Sequence, residues 1–251
     1  MDNIYKIKKV FKENFLRELS DKEASDFFND LLIQSKLELS KIPGFTEEAF
    51  QRYFSNELEI LFSPKAINKE ILRIINIIGI ESLENSSKYK RLSEMTDASC
   101  LVLALKKLYA EEWMIKAQDN PDILLVKHNA DSFNKKPFDA VALEIMQIPE
   151  RAKKTFSQDI EKDIAEFIRD KKFNKRYGEK PHLLIHFNFN QMGLKLKMIS
   201  EILYSFPNNP FHQIWIRANT DSTFRIMNIS MVYPKFTPVQ IDMLKEQHLL
   251  F

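Results

Sequence analysis

The chain has 251 residues, 44% of them hydrophobic and 29% charged, and this balance is typical of a packed globular protein. Lysine plus arginine (37) nearly balance aspartate plus glutamate (35), so bulk charge does not indicate a general polyanion-binding protein. Any nucleic-acid-binding face must therefore be local. The 4 glycines lie too far apart to form a P-loop or a dinucleotide-binding loop, which argues against nucleotide-driven functions.

The cellular compartment can be inferred from sequence features that are missing. Cys100 is the only cysteine, so the chain can form neither an internal disulfide nor a thiolate metal cage. The first fifteen residues mix charged with apolar positions and lack the apolar core of a secretory signal. No stretch approaches the ~20 apolar residues of a membrane span. We therefore expect a cytoplasmic protein without a membrane partner.

The first 95 residues contain clear helix starts and predict about four helices. Ser20 and Glu23 form a capping box before the amphipathic stretch 24–39. Gly44 and Thr46 end that helix and cap the next one. Ser63-Pro64 gives an N-cap with proline at the first helical position of a further apolar-faced helix.

A polar, serine-rich stretch at 84–96 is the predicted boundary between two domains. Residues 1–95 would form a helical domain, which is also the candidate region for binding a protein partner. Residues 96–251 would form an α/β domain.

The second domain alternates helical and strand patterns. Its predicted elements are a helix at 98–117, strands at 122–126 and 138–148, a helix that Ser157 caps, a strand at 182–189, a helix at 192–204, strands at 212–217 and 224–233, and a short helix from Thr237. This mixed order predicts an α/β protein with a mixed central sheet flanked by helices.

Two acids carry the functional signal. Pro121-Asp122 opens one predicted strand, and Glu144 lies within the next one among apolar neighbours from Ala140 to Met146. A carboxylate in a buried strand is costly unless it is paired or metal-bound. This pattern resembles the PD-(D/E)XK nuclease superfamily, in which Pro-Asp opens one strand and an acid-X-lysine lies on its hairpin partner.

The resemblance covers roughly residues 98–190 and implies a restriction-endonuclease-like fold. It implies that Asp122 and Glu144 bind Mg²⁺ or Mn²⁺ for phosphodiester hydrolysis, because hard cations prefer carboxylate oxygens and activate water. The family often has a further acid on the preceding helix. Glu111 and Glu112 are the candidates for this third ligand.

Position 146 departs from the family, because Met146 stands where the catalytic lysine is expected. Lys127 or Lys136 could supply the charge from another place. Gln147 could orient water but carries no charge, and strand alternation points it to the opposite face. The sequence thus leaves an active endonuclease and a catalytically inactive nuclease-like module both open.

A basic run supplies the candidate nucleic-acid contacts. Lys171, Lys172, Lys175 and Arg176 are interleaved with aromatic residues, and such side chains contact phosphates and stack on bases. We expect nucleic acid as the partner, with DNA favoured. The alternative is a solvated helix end, where lysines favour the helix dipole.

Structural roles remain open for the other candidates as well. Asp122 can simply open a strand, Glu144 can belong to a salt bridge, and Glu111 and Glu112 can lie on a solvated helix face. His182 and His186 share one strand face but lack a third zinc ligand, which favours ordinary surface or interface histidines. A purely structural α/β protein with salt-bridged acids is the third hypothesis.

Overall fold

A computed structural model describes residues 3–39, 61–79, 87–117, 122–128, 138–187, 193–217 and 226–242. Within these residues, seven α-helices accompany one seven-stranded sheet, so the protein is mixed α/β with a helical N-terminal region, as predicted. None of the helices in these ranges is long and apolar enough to cross a membrane.

Four helices precede the sheet and three lie between its strands. The first four are α1 (Asn3–Phe15), α2 (Asp21–Leu39), α3 (Pro64–Ile78) and α4 (Lys90–Tyr109), with a 3₁₀ turn at Ser87–Tyr89. The other three are α5 (Glu150–Lys153), α6 (Ile160–Ile168) and α7 (Leu196–Ser205). Helix α6 continues directly into a π-helical turn at Arg169–Phe173.

Two predicted helix starts are confirmed by their hydrogen bonds. The Ser20 hydroxyl accepts the Glu23 N–H at 3.2 Å, and the Ser20 N–H donates to the Glu23 carboxylate at 2.9 Å. The Ser63 hydroxyl accepts the Ala66 N–H at 3.2 Å at the start of α3. The predicted cap at Gly44 and Thr46 lies outside the described residues.

The strands occur in the sheet in the same order as in the chain. They are β1 (Met114–Ala117), β2 (Ile123–His128), β3 (Phe138–Ile148), β4 (His182–Phe187), β5 (Gln213–Arg217), β6 (Ile226–Tyr233) and β7 (Thr237–Asp242). Strands β3, β4 and β5 are parallel, and every other neighbouring pair is antiparallel.

Helices cover both faces of this sheet. Alternate residues of β3 point to opposite sides, so Leu143 and Ile145 pack against α4 and the N-terminal helices. Met146 and Ile148 pack against α6 and α7 in a second hydrophobic cluster. The arrangement is therefore a three-layer one.

Helix α4 passes through the predicted domain boundary. It begins at Lys90, and Leu92 and Met95 are buried in the same core as Phe11 of α1 and Leu143 of β3. The predicted division at 95/96 thus falls inside a helix whose two sides share one hydrophobic core.

The predicted helix 98–117 is wrong at its C-terminal end. Helix α4 ends at Tyr109 because Ala110 adopts a left-handed conformation with φ 56°, and Met114–Ala117 form β1 instead. Trp113 and Ile115 are buried while Met114 and Lys116 are partly exposed, which is a strand periodicity.

The helix predicted from Thr237 is also wrong, because residues 237–242 form edge strand β7 against β6. Val239 and Ile241 are buried while Gln240 is exposed, so the apolar period is two. A proline at position 238 is compatible with an edge strand.

Candidate functional site

Asp122 and Glu144 lie at the same end of the β2–β3 hairpin. Ile123 pairs with Leu143 in antiparallel register, so Asp122, just before Ile123, lies beside Glu144, just after Leu143. Oδ2 of Asp122 accepts the backbone N–H of Ile145 at 2.9 Å, which attaches this carboxylate to the strand that carries Glu144. The two predicted acids are therefore neighbours on adjacent strands.

The carboxylate of Glu144 is buried and paired with lysine. Nζ of Lys172 donates to Oε2 of Glu144 at 2.9 Å and to the Ile145 carbonyl at 3.4 Å. Lys175 approaches the same oxygen at 3.8 Å from a more exposed position. Glu144 and Lys172 are only 9% and 8% exposed, so this is a buried ion pair of the kind that the sequence left open.

The π-helical turn after α6 positions Lys172. Ile164, Ile168 and Lys172 recur at four-residue spacing, and all three are buried on the side of the helix that faces the sheet. Lys171, Lys175 and Arg176 stay exposed. π-Helical turns are rare and frequently occur at functional sites.

Met146 shares the sheet face of Glu144 but lies in the apolar cluster with Ile148, at 7% exposure. Position 146 therefore supplies no charge, and the ammonium nearest Glu144 comes from Lys172 on another element. The sequence pattern assigned Lys172 to phosphate binding and did not identify it as the partner of Glu144. Its spacing from Ile164 and Ile168 was the signal for a buried position.

A third acid, Glu94, reaches this end of the sheet from α4. Glu94 is 5% exposed and pairs with Lys90 and Arg91, each at 3.2 Å. Burial, together with the charge of Asp122, raises the pKa of the Glu94 carboxyl despite these cations. Arg91 also donates to the Asp122 carbonyl at 2.9 Å, which joins α4 directly to the start of β2.

Glu94 was missed because it lies in the polar stretch 84–96, which predicted a boundary rather than a helix. We call Asp122 and Glu144 the acidic cluster, and Glu94 approaches Asp122 from α4.

The pKa of the Tyr177 hydroxyl is affected by Asp122 and Glu144. Burial and the negative charges of Glu144 and Asp122 raise the pKa of its hydroxyl, which therefore stays protonated. The hydroxyl donates to the Lys172 carbonyl at 3.5 Å. Both predicted carboxylates thus raise the pKa of the same phenol.

Lys127, Glu111 and Glu112 do not join the acidic cluster. Lys127 pairs with Glu111 at 2.9 Å, and Glu112 pairs with Lys106 at 2.9 Å. Lys127 lies five residues beyond Asp122, about 17 Å away along an extended strand. Because β1 pairs with β2 with Met114 opposite Val126, the two glutamates, which precede β1, lie at the opposite end of β2 from Asp122.

Gln147 lies on the α4 side of the sheet, opposite to Glu144, as alternation predicts. Its side-chain amide donates to the Ser93 hydroxyl at 3.2 Å. It therefore cannot orient water at Glu144. Lys136 lies outside the described residues.

A buried polar row crosses the carboxyl ends of the parallel strands. Gln147 is paired in register with His186, and His186 with Arg217. Asp97 of α4 accepts a hydrogen bond from Arg217, and its carboxylate lies 3.5 Å from Nδ1 of His186. Burial alone would raise the pKa of Asp97, but His186 and Arg217 outweigh it and hold that pKa below its usual value.

This row corrects the interpretation of the strand histidines. His186 is fully buried and His182 is 4% exposed, so neither is a surface residue. Asp97 and Arg217 were missed because 120 residues separate them in the sequence and only the fold brings them together. Because both side chains are buried, their ion pair joins α4 to strand β5 inside the protein.

Three members of the basic run are exposed, and one of them, Lys175, approaches the acidic cluster. Lys171 lies over the Phe167 ring at 5.8 Å, Lys175 is near Glu144, and Arg176 is exposed. Lys172 is the exception, because its ammonium is buried against Glu144. Of the four predicted phosphate-binding residues, Lys171, Lys175 and Arg176 are therefore the ones whose side chains are accessible.

No group of three or more His, Cys, Asp or Glu side chains is arranged to hold a metal ion within the ranges that the structure describes. Asp122, just before β2, and Glu144 of β3 nevertheless occupy neighbouring positions in the hairpin. Magnesium commonly binds to one or two protein carboxylates and retains several waters. The donors present thus suit a hydrated magnesium ion better than a fully enclosed zinc ion.

Comparison of the chain with protein-family models, curated proteins and solved structures found no match.

Proposed function

We propose that the chain is a metal-dependent nuclease of the PD-(D/E)XK type, with a restriction-endonuclease-like fold, that hydrolyses phosphodiester bonds of nucleic acid at the acidic cluster. The observation that carries the proposal is the placement of Asp122 beside Glu144 on paired strands, with the buried ammonium of Lys172 against Glu144. DNA is the favoured substrate.

Asp122 and Glu144 would hold a Mg²⁺ or Mn²⁺ ion through the oxygens that the described hydrogen bonds leave to it. Those bonds use Oδ2 of Asp122 and Oε2 of Glu144, so Oδ1 and Oε1 are the candidate ligand atoms. The cation would neutralise phosphate charge and lower the pKa of a bound water.

Lys172 supplies the positive charge that Met146 lacks. Its ammonium is fixed by Glu144 and by the Ile145 carbonyl, so it is preorganised beside the acidic cluster. A fixed ammonium can orient an attacking water and stabilise the negative charge that develops on a phosphoryl oxygen. Lys172 is therefore the proposed replacement for the missing lysine.

Lys171, Lys175 and Arg176 would contact the phosphate backbone next to the acidic cluster. The side chain of Lys175 is 55% exposed yet lies 3.8 Å from Glu144, so it occupies the rim between solvent and the buried acids. Exposed cations at this rim would hold a polyanion across the candidate site.

One observation favours a second function, that of an inactive nuclease-like module. Lys172 neutralises Glu144 directly, so the charge of a metal ion is not required to stabilise that buried carboxylate. In this alternative the chain binds nucleic acid through its exposed cations, or a protein partner through the N-terminal helices, without cleaving it.

A cleavage assay separates the two functions. The wild type should cut at least one substrate among single- and double-stranded DNA and RNA when Mg²⁺ or Mn²⁺ is added, and chelation should abolish the cutting. Glu144→Gln should lower the rate at least ~100-fold, since it removes a charged ligand. The matched control Glu201→Gln changes an exposed glutamate on α7 and should cut normally. A folded wild type that cuts none of these substrates would support the inactive module.

A further inference from the structure

Asp122 is held at two points, and one of them comes from helix α4. Its carboxylate accepts the Ile145 N–H at 2.9 Å, and its backbone carbonyl accepts a hydrogen bond of 2.9 Å from Nη1 of Arg91. The strand pairing of β2 with β3 begins one residue later, at Ile123. The two hydrogen bonds therefore fix a residue that the regular pairing does not include.

Arg91 is itself firmly placed in the first turn of α4. The same Nη1 lies 3.2 Å from Oε2 of Glu94, a glutamate that is 5% exposed, and the neighbouring Leu92 is buried in the main hydrophobic core. A guanidinium is planar and donates in fixed directions, so its position is transmitted to the groups that it contacts. Arg91 thus connects a packed helix to the backbone of Asp122.

Lys90 provides a natural comparison within the same turn. It carries the same charge and pairs with the same carboxylate, with its ammonium 3.2 Å from Oε1 of Glu94. Its side chain is 66% exposed, and within the described residues no hydrogen bond joins it to Asp122. The two cations therefore differ in their contact with Asp122 more than in their charge.

We propose that Arg91 is a positioning residue for the cation site, because it holds the backbone of Asp122 where the carboxylate lies beside Glu144. The role in cation binding rests on the proposed function, whereas the placement of Asp122 can be measured without a metal ion. Groups that orient metal ligands typically contribute ~10- to 100-fold to metal affinity. Helix α4 is then part of the candidate site.

The affinity for Mn²⁺ tests the proposal through the sign of the effect. Arg91→Gln and Lys90→Gln each remove one positive charge near the acidic cluster, and charge alone should tighten Mn²⁺ binding in both variants. We expect Arg91→Gln to weaken binding about tenfold instead, because Asp122 loses its anchor. Lys90→Gln should bind Mn²⁺ at least as tightly as the wild type. Equal or tighter binding by Arg91→Gln would overturn the proposal.

Amide hydrogen exchange in the metal-free protein provides a second readout. The Ile145 amide donates to the Asp122 carboxylate, whereas Val126 lies in the middle of the three-stranded pairing of β1, β2 and β3. Arg91→Gln should speed exchange at Ile145 severalfold relative to Val126, and Lys90→Gln should not. An unchanged ratio, including a parallel rise of both amides through lost stability, would overturn the proposal. If the wild type binds no Mn²⁺, the nuclease proposal loses its cation site, and this ratio alone decides the role of Arg91.

Arg91→Lys tests whether charge alone can replace the guanidinium. Lysine keeps the charge but places it as a single point on a more flexible stem. Both the Mn²⁺ affinity and the Ile145 exchange ratio should fall between those of the wild type and Arg91→Gln. If Arg91→Gln does not fold, wild-type values of both quantities in Arg91→Lys would overturn the proposal.

Discussion

Lys172 and Glu144, which are 28 residues apart in the chain, form an ion pair at 2.9 Å on the sheet face that also carries Met146. The pair joins the π-helical turn after α6 to the centre of β3. It places a lysine ammonium against the acid of the candidate site although the expected lysine position holds methionine.

Removing one partner of this pair should be costly, because the other charge would remain buried alone. Lys172→Met should lower the free energy of unfolding by about 3 kcal/mol. Glu144→Gln combined with Lys172→Met should recover a large part of that loss. Urea denaturation of the two single variants and the double variant measures the coupling, with Lys154→Met as an exposed control. Additive effects of the two changes would contradict a direct pair.

Moving the lysine tests its proposed role in cleavage. Lys172→Met should reduce metal-dependent cleavage by ~10² to 10³, the usual effect of losing one electrostatic donor. Adding Met146→Lys to that variant should restore part of the rate, since positions 144 and 146 share one strand face. Single-turnover rates on the best substrate are the measurement. Unchanged cleavage by Lys172→Met would remove Lys172 from the mechanism.

The exposed side chains of Lys171, Lys175 and Arg176 should contribute to the affinity for nucleic acid whatever its base sequence. Replacing Lys171, Lys175 and Arg176 with alanine should weaken binding similarly across sequences. The salt dependence should flatten by ~0.9 in log–log slope for each duplex phosphate that the variant no longer neutralises. Alanine at Lys22, Lys69 and Lys154, which are exposed elsewhere, removes the same formal charge as a control. Equal effects of the two triple variants would indicate that only net charge matters.

The pH dependence of stability should contain a signature of His182. Its pKa is about 4 in the folded protein because of burial and nearby His212, against an ordinary value of 6.5. Above pH 6.5 the imidazole is neutral in both states and costs no stability. As the pH falls from 6.5 towards 4, the unfolded chain takes up the proton first, and up to about 3 kcal/mol of stability is lost.

His182→Phe should therefore flatten the pH profile between 6.5 and 4. Unfolding free energies from urea titrations at several pH values provide the check. His212→Phe changes an exposed histidine whose ring centroid lies 5.4 Å from that of His182, and it should keep most of the slope. Parallel profiles for the wild type and His182→Phe would contradict a buried neutral imidazole.

Local patterns in the sequence were sufficient for much of the fold. The capping box at Ser20 and the strand Phe138–Ile148 depend on neighbours within a few residues, and both are found as predicted. The end of α4 at Ala110 was not predicted, because a left-handed alanine has no strong local signal and the apolar residues continue to Trp113.

The candidate site was predictable only in part. The positions of Asp122 and Glu144 follow from two strand patterns joined by a turn, so their adjacency could be derived from the sequence. Glu94 and Lys172 depend on how α4 and α6 dock on the sheet. How these helices pack on the sheet depends on contacts between residues far apart in the sequence. The spacing of Ile168 and Lys172 indicates that the lysine is buried, but it does not indicate that Glu144 is its partner.

The central claim is that Asp122 and Glu144 together bind a divalent cation, and paramagnetic Mn²⁺ tests it most directly. In ¹⁵N-labelled protein, substoichiometric Mn²⁺ should broaden the amide signal of Ile145, which donates to Asp122, before signals at the far end of β2. Excess Mg²⁺ should reverse the broadening, and Asp122→Asn and Glu144→Gln should each prevent it. Broadening that is absent from Ile145 in the wild type, or that persists in both variants, would contradict a cation site at these two carboxylates.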